Sequence, residues 1–135
     1  MRNNLRSLLA LLALVSIPTF ATAHHSVAEF DMDKKITLAG AVKEVWFNNP
    51  HVHYFVVTKN KDGVEETWDV HGSSVTALAR RGWTKNTIKV GDKITVVGSP
   101  SRNGANRVLI GTVTLANGTV LGGFRKDTSK EQAAQ

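Results

Sequence analysis

Short stretches of alternating apolar and polar residues, rich in β-branched and aromatic side chains, fill most of the chain after residue 35. This alternation is typical of β-strands. The pattern predicts strands at residues 36–46, 51–58, 64–71, 93–98 and 107–115. Asp62-Gly63 predicts a tight hairpin between the second and third strands. Gly40 predicts a bend or bulge within the first.

The apolar period changes after the third strand. Ser73 or Ser74 is suited to cap a short helix over residues 75–81, and Gly82 is suited to end it. Three strands, one helix and two strands is the element order of the OB-fold, a partly open Greek-key barrel. We therefore predict an all-β protein, a small five-stranded OB-like barrel with one short helix between strands 3 and 4. A β-sandwich of similar size is the alternative.

The first 23 residues follow a different pattern. Arg2 and Arg6 precede a mostly apolar run over residues 8–20, and Ala21-Thr22-Ala23 forms a small-residue cleavage site. This order is typical of a secretory signal peptide, and the run is short for a membrane span. We predict cleavage near Ala23 and a periplasmic or secreted protein with no membrane span after signal removal. An uncleaved N-terminal anchor is the alternative.

The predicted mature chain has room for one domain. Removing residues 1–23 from the 135 leaves 112, enough for a single modest core. We expect an N-terminal arm at 24–35, the barrel at 36–124 and a disordered tail at 125–135. The chain has no cysteine, which excludes disulfides, thiolate zinc sites, c-type haem attachment and the cysteine ligand of blue copper centres.

Charge is unevenly distributed along the predicted mature chain. Residues 24–71 hold five Lys and eight acids, a net −3, whereas residues 72–135 hold ten Lys or Arg and three acids, a net +7. The positive charge of residues 72–135 favours binding to an anionic partner, or it only keeps the protein soluble. An exported protein rarely meets nucleic acid, so we expect no nucleic-acid partner. Acidic exported proteins, anionic glycans or lipid head groups are the better candidates for a partner, and a solvated basic face is the favoured interpretation.

Histidine supplies the most informative candidate chemistry. The five histidines, all candidate metal ligands, are His24, His25, His51, His53 and His71. Cleavage after Ala23 would give His24 a free amine beside its own imidazole. With a second imidazole these form a histidine brace, a nitrogen-only site that favours copper. Cleavage after Thr22 or Ala21 would instead place a histidine third in the chain, an arrangement that also binds Cu(II) or Ni(II).

The remaining histidines fall on the second and third strands. His51 and His53 are two residues apart, so they share one face of a strand, with Cα atoms about 6.6 Å apart. His71 ends the third strand, and the Asp62-Gly63 hairpin should bring it near His51. Half-exposed histidines on a polar face are the alternative. Weak or outer ligands could come from the arm, whose candidates are Glu29, Asp31, Met32 and Asp33.

Aromatic residues offer a different kind of site. A stacking surface for a sugar or base could be formed by Trp46, Tyr54, Trp68 and Trp83. Core packing is the favoured interpretation for Trp68 and Trp83. No nucleophilic triad or phosphate-binding loop has supporting context, so we predict no catalytic residue.

Several short motifs are spread over nearly the whole predicted mature chain. They are His24-His25-Ser26, Phe30-Asp31, Asn49-Pro50-His51, Trp68, Arg80-Arg81-Gly82-Trp83 and Gly91-Asp92. Together they resemble a family of small exported bacterial proteins of unknown function. The resemblance implies an OB-type barrel and brings no established activity. It extends to His24, His25 and His51, whereas His53 and His71 depart from the family pattern, in which an acidic residue is usual where His71 stands.

The favoured hypothesis is an exported metal-binding module, most consistent with a copper ion as cofactor. His24 would bind through its amine and imidazole, together with His51 and either His25 or His53. The module would hold or deliver copper, or support redox chemistry, without turnover. The alternatives are a non-metal docking module for an exported partner protein or anionic ligand, and an oxidative enzyme.

Overall fold

The computed structural model describes residues 25–123. The predicted signal peptide, His24 and the predicted tail at 125–135 lie outside these residues. The elements are α1 (His25–Ala28), β1 (Ile36–Trp46), β2 (His53–Lys59), β3 (Glu65–His71), α2 (Val75–Ala79), β4 (Lys93–Pro100), β5 (Arg107–Leu115) and β6 (Val120–Gly122). No helix within residues 25–123 is long and apolar enough to cross a membrane.

Five of the strands close into a barrel, as the element order predicts. The sheet order is β3-β2-β1-β4-β5-β6, and an additional parallel pairing of β3 with β5 closes it. That pairing sets Asp69 opposite Arg107 and His71 opposite Leu109. The short helix α2 lies between β3 and β4, and β6 is a three-residue addition to the edge of β5. The predicted small OB-like barrel is therefore confirmed.

Alternation along the strands separates the barrel interior from its outer wall. On β2, Tyr54 and Val56 are fully buried, whereas His53 and Phe55, which alternate with them, are only partly buried. Core side chains come from every barrel strand and from the segment that follows β3; they include Val42, Val70, Leu78, Trp83, Ile94, Val96, Val108 and Ile110. The histidines of β2 and β3 therefore belong to the outer wall and not to the core.

Gly40 has a different role from the one its sequence context predicts. The register shift in the β1–β2 pairing lies between Val42 and Glu44, so the predicted bulge at Gly40 is wrong in position. Gly40 instead lies where β2 comes close, and a Cβ atom there would collide with the carbonyl oxygen of Val57. Glycine is needed at this position for backbone approach and not for a bend.

The N-terminal arm packs against the barrel through one aromatic side chain. Phe30 follows α1, is fully buried, and forms an isolated antiparallel bridge with Ser101. Backbone hydrogen bonds flank it: the Asp31 amide donates to the Pro100 carbonyl at 2.8 Å, and the Arg102 amide donates to the Glu29 carbonyl at 2.9 Å. The arm is thus held to the segment after β4.

The Arg81-Gly82-Trp83 segment forms side-chain hydrogen bonds with the last residue of β6 and the residue after it. The indole Nε1 of Trp83 donates to the Gly122 carbonyl at 3.0 Å, and Arg81 donates to the Gly123 carbonyl. Gly82 has φ +86°, which permits the left-handed turn between the two side chains. The short strand β6 is consequently fixed by side chains as well as by its pairing with β5.

Candidate metal centre

Three histidines meet on the outer wall of the barrel where β2 and β3 pair. His53 and His71 are directly opposite one another in the antiparallel register. Their ring centroids are 4.7 Å apart with the rings perpendicular, and the His51 ring is also 4.7 Å from that of His71. The hairpin thus brings together three of the five histidines that the sequence marks as candidate ligands.

A chain of ion pairs lies behind these histidines and joins three strands to the arm. Asp69 accepts from His53 Nδ1 through Oδ1 at 2.7 Å and from Arg107 Nε through Oδ2 at 2.9 Å. Arg107 also donates to the Glu29 carboxylate. The order is therefore Glu29, Arg107, Asp69, His53. Because Arg107 is donor-only and charged, it both neutralises and orients the two carboxylates.

His71 is the most enclosed member of the cluster, with 5% of its surface exposed. Burial, followed by the neighbouring His53 and His51, lowers the pKa of His71 to about 4. His71 is therefore neutral at neutral pH, which is the form in which imidazole binds metal. Its Nε2 atom is buried and has no hydrogen-bond partner among residues 25–123.

Phe30 forms the cover over His71. Their ring centroids are 5.5 Å apart, and the guanidinium of Arg107 lies 5.8 Å from the centroid of the Phe30 ring. The arm therefore contributes one carboxylate, from Glu29, and one apolar cover to the cluster. The Phe30 ring is the arm's contact with His71, which is almost fully buried.

Asp69 is a site residue that sequence reasoning missed. Ligand atoms of His53, Asp69 and His71 all lie within 4.8 Å of one another, a grouping that could hold a metal ion. The signal was present, because Asp69 and His71 have the same two-residue spacing as His51 and His53. No pattern in the sequence pointed to Arg107, because only the closing β3–β5 pairing places it beside Asp69.

The other predicted ligands divide into two groups. His24 lies outside the described residues, and His25 is placed only as the first residue of α1. On the arm, Asp31 pairs with Lys34 at 3.2 Å, and the Lys34 hydrogen bond lowers the pKa of Asp31. Glu29 reaches the cluster through Arg107. Met32 and Asp33 are exposed and Asp31 is engaged by Lys34, so these three do not join the cluster.

The four aromatic residues considered for a stacking surface do not form one. Tyr54 and Trp83 are buried inside the barrel, and Trp68 packs against the same core, as core packing predicts for both tryptophans. Trp46 remains 51% exposed and meets Phe55 edge-on, with ring centroids 5.3 Å apart. His53 stacks on Phe55 and also meets Trp46 edge-on at 6.1 Å between centroids, so this aromatic pair adjoins the histidine cluster.

These features define a small OB-like barrel protein with a histidine–aspartate group on its outer wall. A family model for DUF6152, a family of unknown function, matches residues 11–110. The chain belongs to this family, in agreement with the resemblance that its short motifs carry.

Comparison with individual curated proteins and solved structures adds little to this family assignment. No curated protein matches the chain. Among solved structures, the mitochondrial single-stranded DNA binding protein Rim1 of S. cerevisiae (Form2) matches with 10% sequence identity and a TM-score of 0.47. The match covers 62% of this chain and 93% of that chain.

Proposed function

We propose that the protein is an exported metal-binding module, and that copper is its metal. The site would combine the mature N-terminus, His24 with its free amine, with imidazoles of the β2–β3 wall. The expected role is to hold or deliver the ion, without turnover. Export rests on the signal-peptide pattern of residues 1–23, and cleavage after Ala23 is part of the proposal.

The observation that carries this proposal is the docking of Phe30 on His71. A brace that uses the N-terminus and a strand histidine requires the arm to fold back onto the barrel wall. Phe30 fixes the arm there, six residues after His24. With α1 helical, those six residues span about 9 Å, which is short enough for His24 to meet the cluster.

The donor set favours copper over other common ions. An amine and several imidazoles are all nitrogen donors, which suit Cu(II) in the order of divalent ion affinities. The chain has no cysteine to favour thiolate zinc or iron–sulfur chemistry. The carboxylates of the cluster are already paired with Arg107, so they offer little to Mg²⁺ or Ca²⁺, which prefer oxygen ligands.

The test compares two forms of the exported protein by Cu(II) titration against a competing chelator. One form begins at His24, verified by intact mass, and the other carries a four-residue Gly-Ser extension before His24. A single added residue is unsuitable, because it would place His25 third and create a different copper site. We expect the extended form to bind at least tenfold more weakly. Equal binding by both forms would exclude the N-terminus as a ligand.

A docking module is the second candidate, and the exposed Trp46 packed edge-on against Phe55 favours it. An exported acidic protein would match the basic half of the chain by charge. Poly-glutamate is the test ligand for such a partner. Its binding to the protein should weaken as salt is added, and it should be weaker in the Trp46→Ser variant. If poly-glutamate still binds after all five histidines are replaced, the docking function is supported. If poly-glutamate does not bind even at low salt, the docking function is wrong.

A further inference from the structure

We propose, on the basis of the proposed copper function, that His53 and His71 bind the metal and that Asp69 does not. In this assignment Asp69, held by Arg107, is a positioning residue for His53. It fixes which nitrogen of His53 carries the proton and therefore which nitrogen faces the metal. Proximity alone would instead make Asp69 a third ligand.

Both oxygens of Asp69 are already engaged. Oδ1 lies 2.7 Å from His53 Nδ1, and Oδ2 lies 2.9 Å from Arg107 Nε. The carboxylate is only 17% exposed, so neither contact is a loose surface pairing. Direct coordination by Asp69 would compete with these hydrogen bonds for the carboxylate lone pairs, and loss of either bond would leave a partly buried donor without its acceptor, which is costly.

The same contact determines the tautomer of His53. A carboxylate only accepts hydrogen bonds, so the proton of neutral His53 lies on Nδ1 and is donated to Asp69. The lone pair is then on Nε2, which is free to bind an ion. A metal-binding histidine whose other ring nitrogen donates to a carboxylate is the usual arrangement, because the carboxylate orients the ring and raises its basicity.

His71 is the second ligand because its Nε2 lacks a partner in a buried position. Within residues 25–123 no acceptor or donor meets this atom. Its Nδ1 lies 3.4 Å from Arg107 Nη2, at the long end of hydrogen-bonding distance. This weak contact is given up when an ion binds Nε2, because the proton of neutral His71 then lies on Nδ1. An ion at Nε2 would supply the missing partner, and His53, opposite on β2, supplies a second imidazole at 4.7 Å between centroids.

The charges behind the histidines also suit a cation. Glu29 and Asp69 each carry a negative charge, and Arg107 between them carries one positive charge. The chain of three therefore has one net negative charge beside the imidazoles. A bound divalent ion would be partly neutralised without a carboxylate entering its coordination shell.

The decisive variant is Asp69→Asn. Arg107 can only donate, so the amide oxygen of the new side chain will face Arg107 and its NH₂ group will face His53. His53 Nδ1 must then accept, and the proton moves to Nε2, where it blocks metal binding. Asp62→Asn is the matched control, since it makes the same chemical change at the exposed turn of the same hairpin.

Two measurements separate positioning from a general structural effect. The first is ¹⁵N NMR of the histidine rings in the metal-free protein, which reports the tautomer directly. We expect His53 to carry its proton on Nδ1 in the wild type and in Asp62→Asn, and on Nε2 in Asp69→Asn. The second is Cu(II) affinity, which should fall 10- to 100-fold in Asp69→Asn alone.

The outcomes are distinct from those of the proposed function. If the wild type binds no copper, the proposed function fails. If it binds copper and Asp69→Asn binds equally well, or binds more weakly without a change of tautomer, the positioning role is wrong. Should Asp69→Asn fail to fold, the wild-type spectrum still decides, because a proton on Nε2 of His53 contradicts the assignment.

Discussion

Phe30 controls the surroundings of His71, and its removal gives the sharpest test of the arm's role. The Phe30 side chain is fully buried, with its ring centroid 5.5 Å from that of His71. We predict that Phe30→Ala releases the arm and lets water reach His71. Burial is the largest cause that lowers the pKa of His71 to about 4, so hydration should raise that pKa toward its ordinary value of 6.5.

The structure also bounds the size of this effect. One pH unit corresponds to about 1.4 kcal/mol between protonation states, so the interval from 4 to 6.5 corresponds to about 3 kcal/mol. Recovery should be partial, because His53, His51 and Arg107 still oppose a charge on His71. We therefore expect the pKa of His71 to rise by at least one pH unit. The stability loss should stay below the 3–5 kcal/mol typical of a core Phe→Ala change, because the arm detaches from a barrel that stays closed.

The assay is an NMR titration of the imidazole C–H signals in protein kept metal-free by a chelator. Phe47→Ala is the matched control, since Phe47 is partly buried and packs against the barrel core. That variant should lower stability and leave the pKa of His71 unchanged. A His71 pKa that stays near 4 in Phe30→Ala, or that rises equally in both variants, would refute the reasoning.

Three further predictions follow from burial and hydrogen bonding, and a fourth follows from the signal-peptide pattern. Without metal, stability to urea should decline as pH falls from 6.5 towards 4, because the unfolded chain takes up a proton that buried His71 does not; a flat profile would contradict this. Trp83→Phe should cost about 2 kcal/mol by calorimetry, because the Gly122 carbonyl loses its donor, and retention of full stability would show that this bond is unimportant. Tyr54→Phe should instead preserve stability or raise it by about 1 kcal/mol, because its buried hydroxyl has no partner in the described part of the chain. Intact mass of the exported protein should correspond to cleavage after Ala23, and an uncut mass would favour the anchor.

Local pattern was sufficient to predict most of the barrel. The first and fifth strands have the bounds that alternation predicts, 36–46 and 107–115. The second strand begins at His53 and not at residue 51, because Val52 is engaged by the loop after β3, where its amide donates to the Ser73 carbonyl. The helix ends at Ala79, before the predicted residue 81.

The candidate site was predictable only where one hairpin builds it. His51, His53 and His71 lie together because the antiparallel register follows from the turn between β2 and β3. Arg107 is 38 residues beyond Asp69, and their contact depends on a parallel pairing that no local signal encodes. The arm shows no period, so the burial of Phe30 could not be predicted from its neighbours.

The pairing of β3 with β5 has a consequence for the order of events during folding. The hairpin can bring its histidines together early, because β2 and β3 are adjacent in sequence. Arg107 reaches Asp69 only when the last barrel strand has been placed, whereas Glu29 can pair with Arg107 once the arm has docked on the β4–β5 segment. A chain with an open barrel would thus present histidines without the oriented carboxylate behind them. We expect tight metal uptake to follow barrel closure in time, so that the ion preferentially stabilises the completed fold.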